Sequence, residues 1–290
     1  MIFVYGEDSG KRENLIAQDT TFNDGTFHLN IQGSRDYQTF TLDWRYENDA
    51  EAMKVWFIVK HLRDKNPHAR IHLYVPYVPN ARMDRVKTKG EVFTLKYFAK
   101  FLNELKFDSI DVFDVHSDVA LGLINSMKGY ESRQEKLGKA LNTVKATLSS
   151  ISDKPLCVVF PDKSSPKRYE MFFDNTPLCF CDKDRDWVSG KIIGQKLYAV
   201  PDNLTDYQIL IIDDIIGTGG TINGVVNLLS SYEVKQVAVY ASHTEDNLTQ
   251  GVLWDNPIVT NFFTSDSRGY WYNQFHNVKL ISNRIQPIYI

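Results

Sequence analysis

Apolar positions follow two rhythms along this chain. Residues 70–75 (RIHLYV) and 109–115 (SIDVFDV) are short β-branched and aromatic runs that predict strands. Between them, Leu95, Phe98, Ala99 and Leu102 follow the i, i+3, i+4, i+7 spacing of one helix face. Ahead of them, residues 48–62 predict a helix with an unusually broad apolar face, suited to burial on two sides, with Asn48 or Asp49 as its cap. The second half repeats the theme. Strands are expected at 156–160, 177–181, 196–200, 207–212 and 235–241, with a last one at 278–281. Ile222, Val225, Val226 and Leu229 mark a short amphipathic helix after the fourth of these. Strand–helix–strand repetition argues an α/β fold with mainly parallel sheets flanked by helices. The polar, serine-rich segment 147–155 (TLSSISDKP) is the best boundary, giving two domains of similar size, 1–148 and 149–290.

Composition narrows the function classes. Of 290 residues, 43% are hydrophobic and 24% charged, an ordinary globular balance with room for two domains. A formal net charge of −3 carries no footprint of a nucleic-acid or membrane-surface partner. No run of 18 apolar residues predicts a membrane span, and MIFVYGEDSGK lacks the basic n-region of a signal peptide, so a cytoplasmic protein is expected. Cys157, Cys179 and Cys181 read as reduced core residues; on a strand, the last two share a face.

The densest chemistry is IIDDIIGTGGT, residues 211–221. A strand runs into Asp213 and Asp214, then Gly217, Thr218, Gly219, Gly220 and Thr221 lead into a helix. Glycines alone would make an ordinary βα turn. Amides at a helix N-terminus make an anion site, and the threonine hydroxyls add donors. Two carboxylates cannot cradle a phosphate; ribose hydroxyls, or water on a divalent cation, suit them. The expected ligand carries both a phosphate and a sugar diol. The loop is no Walker A motif, and GEDSGKR at 6–12 has the wrong length and ends on arginine.

The loop resembles the phosphoribosyl-diphosphate signature shared by type I phosphoribosyltransferases and ribose-phosphate diphosphokinases (PRPP synthetases). In both, an acid commonly stands where this chain has Gly217. Other segments resemble the diphosphokinases. VPYVPNARMDRV (75–86) is similar to PYxxYARQDR, which implies ATP binding by Arg82, Asp84 and Arg85, with Met83 and Asn80 departing. DVFDVHSD (111–118) resembles a strand end whose histidine, here His116, ligates the Mg²⁺ on ATP. FNDGT (22–26) is similar to FxDGE, implying that Phe22 and Asp24 reach the ATP of a neighbouring subunit. VVFPDKSSPKRYEMF (158–172) resembles VVSPDxGGxxR, which makes Asp162 a metal- or substrate-proximal acid and adds Lys167 and Arg168 to the ATP set, while Ser164 and Ser165 replace a glycine pair. FCDKDRD (180–186) is similar to the mobile catalytic loop xxDKRR, implying catalytic Lys183 and Arg185.

The resemblance implies two phosphoribosyltransferase-like domains, an ATP side and a ribose-phosphate side. It implies a Mg²⁺-dependent homo-oligomeric enzyme that moves the diphosphate of ATP to the C1 hydroxyl of a ribose 5-phosphate unit. The acceptor is ribose 5-phosphate or ADP-ribose; some phage-type relatives make ADP-ribose diphosphate for rebuilding NAD⁺, and the altered motifs look like that branch. Glycine at 217 is expected to free space and remove negative charge beside the 5-phosphate. The rival readings are a type I phosphoribosyltransferase, which would not need NARMDR or His116, and a regulatory relative without catalysis.

Overall fold

The computed structural model describes residues 1–8, 11–33, 37–185, 192–245, 247–248, 251–268 and 278–281. They form two compact units, one running to Glu135 and one beginning at Lys136, with Ser267 and Arg268 returning to the first.

The first unit contains β1 (Ile2–Asp8), β2 (Lys11–Asn14), β3 (Ile16–Thr21), β4 (Phe27–Ile31), β5 (Thr39–Trp44), α1 (Ala50–Lys65), β6 (Arg70–Tyr74), α2 (Thr94–Glu104), β7 (Ser109–Asp111) and α3 (Asp118–Leu123). Its five-stranded sheet has the order β2-β1-β5-β6-β7. β1 pairs antiparallel with β2 and β5, whereas β5, β6 and β7 are parallel. β3 and β4 form a separate hairpin, tied to α1 by the Lys54 Nζ–Asp19 Oδ1 pair at 2.5 Å.

The helix expected on the 95–102 spacing is α2, and all four of its periodic residues are buried. α1 buries Val55, Ile58, Val59 and Leu62, while Met53, Trp56 and Phe57 stay exposed on the other side. Asn48 supplies the cap: its Oδ1 accepts the Ala50 N–H at 3.1 Å. β7 is shorter than its apolar run. Past Asp111 the Phe113 N–H turns to the Pro76 carbonyl (3.0 Å), and Asp114 takes φ +41, so the chain leaves the sheet.

α4 (Tyr130–Ser149) leads into the second unit, followed by β8 (Leu156–Phe160), α5 (Pro166–Tyr169), β9 (Leu178–Arg185), β10 (Ile192–Tyr198), β11 (Gln208–Ile216), α6 (Gly220–Ser230), β12 (Val237–Thr244), β13 (Val259–Ser265) and β14 (Val278–Ile281). The seven strands run β10-β9-β8-β11-β12-β13-β14, all parallel except β9 with β10. Strands, Ile222, Val225, Val226 and Leu229 of α6, and Leu248 and Leu253 share one core. Cys157, Cys179 and Cys181 are free and buried, with the first two sulfurs 3.5 Å apart. No helix among the described residues is long and apolar enough to cross a membrane.

Two strands are longer than their apolar runs, for the same reason. A strand continues for as long as its neighbour pairs with it, whether parallel or antiparallel. β11 carries its pairing with β12 through Asp213 to Ile216, so the acid pair lies within the strand and not after it. β9 continues through Lys183 and Arg185 because β10 pairs with it to the end; that backbone is strand, where a loop was expected.

Candidate active site

In an open α/β sheet, ligands gather at the carboxyl ends of the strands. β8, β11 and β12 are adjacent, so three segments emerge side by side: the turn at Asp162, the glycine loop, and the residues from Glu245 onward.

The glycine loop is short. β11 ends at Ile216, Gly219 sits in the left-handed region at φ +79, and the Asn223 N–H closes the first turn of α6 on the Gly219 carbonyl at 2.8 Å. Thr218, Gly220 and Thr221 are exposed, and a Cβ on Gly220 would meet only Thr218 Oγ1, 3.9 Å away. This side of the turn is open, as the approach of an anion to a helix N-terminus requires.

Its other side is closed. A Cβ on Gly219 would stand 2.8 Å from the Leu253 Cβ, and one on Gly251 would stand 1.8 Å from the Thr218 carbonyl oxygen. At Gly217 a Cβ would meet Glu245 Oε2 at 2.7 Å. The expectation that glycine at 217 leaves uncharged space is therefore corrected: a carboxylate from the next strand's end occupies it. Nothing local in the sequence marks Glu245, because the apolar run of β12 ends at Ala241 while the strand itself continues to Thr244. The polar Ser242, His243 and Thr244 are in fact buried in the strand, and the pairing of Ile216 with Thr244 sets residue 245 beside residue 217.

Asp214 is buried and its Oδ2 accepts from Arg168 Nη1 at 2.8 Å. Arg168, expected among the ATP ligands, thus joins the acid pair, while Lys167 beside it on α5 is exposed. Burial first, and the charge of Asp214 second, push the Asp213 carboxyl well above the ordinary aspartate range; Asp162 adds to the push. Partial burial raises Asp162 too, but hydrogen bonds from Ser164 and Ser165 outweigh it and leave that carboxyl below its ordinary range. Asp162 Oδ1 accepts from Ser164 N (2.7 Å), Ser164 Oγ (2.6 Å) and Ser165 N (3.0 Å). Serine in place of glycine at 164 thus adds one more bond to this carboxylate.

The raised Asp213 has a consequence for stability. The folded state holds its proton at pH values where the unfolded chain has lost it. Stability from this group is present below the ordinary aspartate range and lost as pH rises through the raised value. Asp213→Asn should therefore melt higher than the parent at pH 7.5, by about 1 kcal/mol of stability, with the gap closing near pH 4. Melting curves at the two pH values check this; an equal gap at both would count against it.

In the first unit, the segments following β6 and β7 are also neighbours. Val75 N–H bonds to the Asp111 carbonyl at 2.9 Å, and Asp84 Oδ2 accepts from the Ser117 hydroxyl at 2.8 Å. Asp84 thereby fastens the arginine segment to the segment that carries the half-buried His116. Arg82 and Arg85 are exposed; Arg85 Nε lies 3.4 Å from Asp84 Oδ1. Asn80, a departure from the motif, takes φ +63, which asparagine tolerates better than an aromatic residue. At the β3–β4 turn, Phe22 is exposed and stacks on His28. Asp24 Oδ1 accepts from Thr26 N (3.0 Å) and Oγ1 (2.7 Å), and Gly25 has φ +84. Those bonds hold the Asp24 carboxyl below its ordinary range. The side chains of Lys183 and Arg185 lie outside the described residues.

Sequence and structure comparisons bear on this arrangement. A phosphoribosyl transferase domain model matches residues 180–272, which include the glycine loop and Glu245. The ribose-phosphate pyrophosphokinase of Saccharolobus solfataricus is 26% identical over 238 residues, covering 80% of this chain and 76% of its own. That of Pyrococcus abyssi is 23% identical over 259 residues, covering 84% of each chain. Over most of its length the chain is thus similar to ribose-phosphate pyrophosphokinases. The crystal structure of phosphoribosylpyrophosphate synthetase from Mycobacterium smegmatis shares the fold of this chain, with a TM-score of 0.71 at 20% identity over 91% of this chain and 85% of that one.

Proposed function

We propose that the protein transfers the β,γ-diphosphate of ATP to the C1 hydroxyl of a ribose 5-phosphate unit and releases AMP. The observation that carries this reading is the carboxyl edge of β8, β11 and β12. An anion-binding turn open at Thr218, Gly220 and Thr221 stands next to an acid pair whose Asp214 is braced by Arg168. The turn receives the 5-phosphate, and Asp213 and Asp214 receive the ribose hydroxyls. Arg82, Arg85 and Lys167 serve ATP phosphates, Phe22 and Asp24 its base end, and Asp84 positions the arginine segment. Lys183 and Arg185 meet the transferring group. Oxygen of the C1 hydroxyl attacks the β-phosphorus, the bond to the α,β-bridging oxygen breaks, and the hydroxyl proton leaves. Catalysis is then positioning and charge neutralisation.

Among the described residues, no group of three or more His, Cys, Asp or Glu is arranged to hold a metal ion. The acid pair nonetheless fits Mg²⁺, which takes one or two carboxylates and fills its shell with water and substrate phosphate. Burial first, and the crowded charge of Asp214 second, raise Asp213, and a bound cation offsets both. Mg²⁺ would neutralise phosphate charge, with Asp162 and His116 as further metal-proximal groups. A second copy of the chain is the proposed cover for Met53, Trp56 and Phe57 on α1.

Incubation with ATP, Mg²⁺ and either ribose 5-phosphate or ADP-ribose, followed by AMP release, tests the reading. We expect AMP with at least one acceptor; none with either overturns diphosphate transfer. A type I phosphoribosyltransferase would instead consume the diphosphorylated sugar and release pyrophosphate.

A further inference from the structure

We infer that Arg268 is a further phosphate-binding residue of the donor side, its guanidinium mounted on Tyr46 and Tyr77 to take a phosphate of the nucleoside triphosphate. The inference rests on the reading of the segment after β6 as the ATP side.

Arg268 follows β13 by three residues, and its segment belongs to the first unit. Asp266 and Ser267 before it are buried, whereas Arg268 is half-buried. Its Cζ lies 5.7 Å from the centroid of the Tyr46 ring and 5.2 Å from that of Tyr77, and its Nε donates to the Tyr46 carbonyl at 3.3 Å. Both rings are themselves held. Tyr77 is buried, and the Tyr46 hydroxyl donates to Asp49 Oδ1 at 2.8 Å. Tyr46 lies two residues past β5 and Tyr77 three past β6, and these strands are parallel neighbours. The guanidinium therefore stands at the carboxyl edge of the first unit's sheet, where ligands gather. Its partners lie as many as 222 residues away in the chain, beyond the reach of any motif.

A guanidinium is weakly hydrated, and aromatic faces attract it, so two rings fix its orientation at little cost. That contact leaves its charge unneutralised. Among the described residues no carboxylate pairs with Arg268. Asp43 is taken by Arg45, through Nε at 2.6 Å and Nη2 at 3.2 Å, and Asp49 by the Tyr46 hydroxyl. With Nε committed to a carbonyl, the two Nη groups remain, a paired donor edge that suits two phosphate oxygens. A residue that only tied the chain down would be served by the rings and the carbonyl alone. The choice of donor over acceptor follows from Tyr77. Val78 and Ala81 after it are buried, the Ala81 N–H closes on the Val78 carbonyl at 3.3 Å, and Arg82 and Arg85 follow on the same segment.

Calorimetry with ATP, adenosine and ribose 5-phosphate as separate probes, in Mg²⁺, tests this. In Arg268→Gln, affinity for ATP should fall about tenfold, while adenosine and ribose 5-phosphate behave as with the parent. Arg268→Lys keeps a cation over the rings without the planar fork; it should melt with the parent and recover part of the loss. ATP affinity equal to the parent's in both variants overturns the inference, as does an equal loss for all three probes, which would mark a residue that only braces the fold. Should Arg268→Gln fail to fold, Arg268→Lys decides alone, and parent-like ATP affinity in it overturns the inference. Failure of the diphosphotransfer reading shows differently: the parent would release no AMP with either acceptor while still binding ATP with an affinity that depends on residue 268.

Discussion

Gly251→Ala is expected to cost about 3 kcal/mol of stability and to abolish AMP release. The added methyl would have to sit 1.8 Å from the Thr218 carbonyl oxygen, which is backbone and cannot rotate away. Either Thr218 moves, spoiling the turn, or the 251 segment lifts and takes Leu248 and Leu253 out of the core they share with α6. Both outcomes harm the same place. Thermal melting and AMP release measured on one preparation check this. A variant that melts within a degree of the parent and keeps its activity would show that the segment does not brace the loop. Gly217→Ala is a useful contrast, because the atom it meets is the tip of a flexible glutamate. It should fold normally.

The second large effect is expected at Asp214. Asp214→Asn should lower AMP release by about two orders of magnitude while the fold survives. Its carboxylate is buried and paired with Arg168 at 2.8 Å, so neutralising it loosens that arginine and, on the proposed reading, removes a carboxylate from the ribose hydroxyls. Arg168→Ala should reproduce part of the loss. Saturation kinetics separate the roles: an effect confined to KM of the acceptor would reduce Asp214 to a binding contact, and one confined to KM of ATP would place it on the other substrate.

The sequence foretold this site unevenly, and the physical reasons differ by residue. The strand, turn and helix around GTGGT were legible because a β-branched run, a glycine cluster and an amphipathic spacing follow one another there. The helices carrying Leu95–Leu102 and Ile222–Leu229 were legible because each buries one face against a sheet. β2 (KREN) and β3 (IAQDTT) carry no apolar alternation, and their pairing is settled by neighbours rather than by their own residues. β12 shows the same limit at its end: Ser242, His243 and Thr244 look like loop yet lie buried between strands. Glu245 went unseen as a consequence, since its meaning depends on register across two strands and not on any local motif. Asp84 was read as part of an ATP set; its bond to Ser117 joins two segments more than thirty residues apart, which no spacing rule reveals.

The β3–β4 turn holds a last implication. Asp24 spends Oδ1 on Thr26, leaving the ring of Phe22 as the large group presented at the tip. An aromatic ring offers a flat π surface, and every nucleobase has a matching one. A contact of that kind cannot tell adenine from guanine, because bases differ at their edges. If this turn receives the donor nucleotide, discrimination among purine triphosphates falls to other residues, and the hairpin by itself makes for a tolerant donor site.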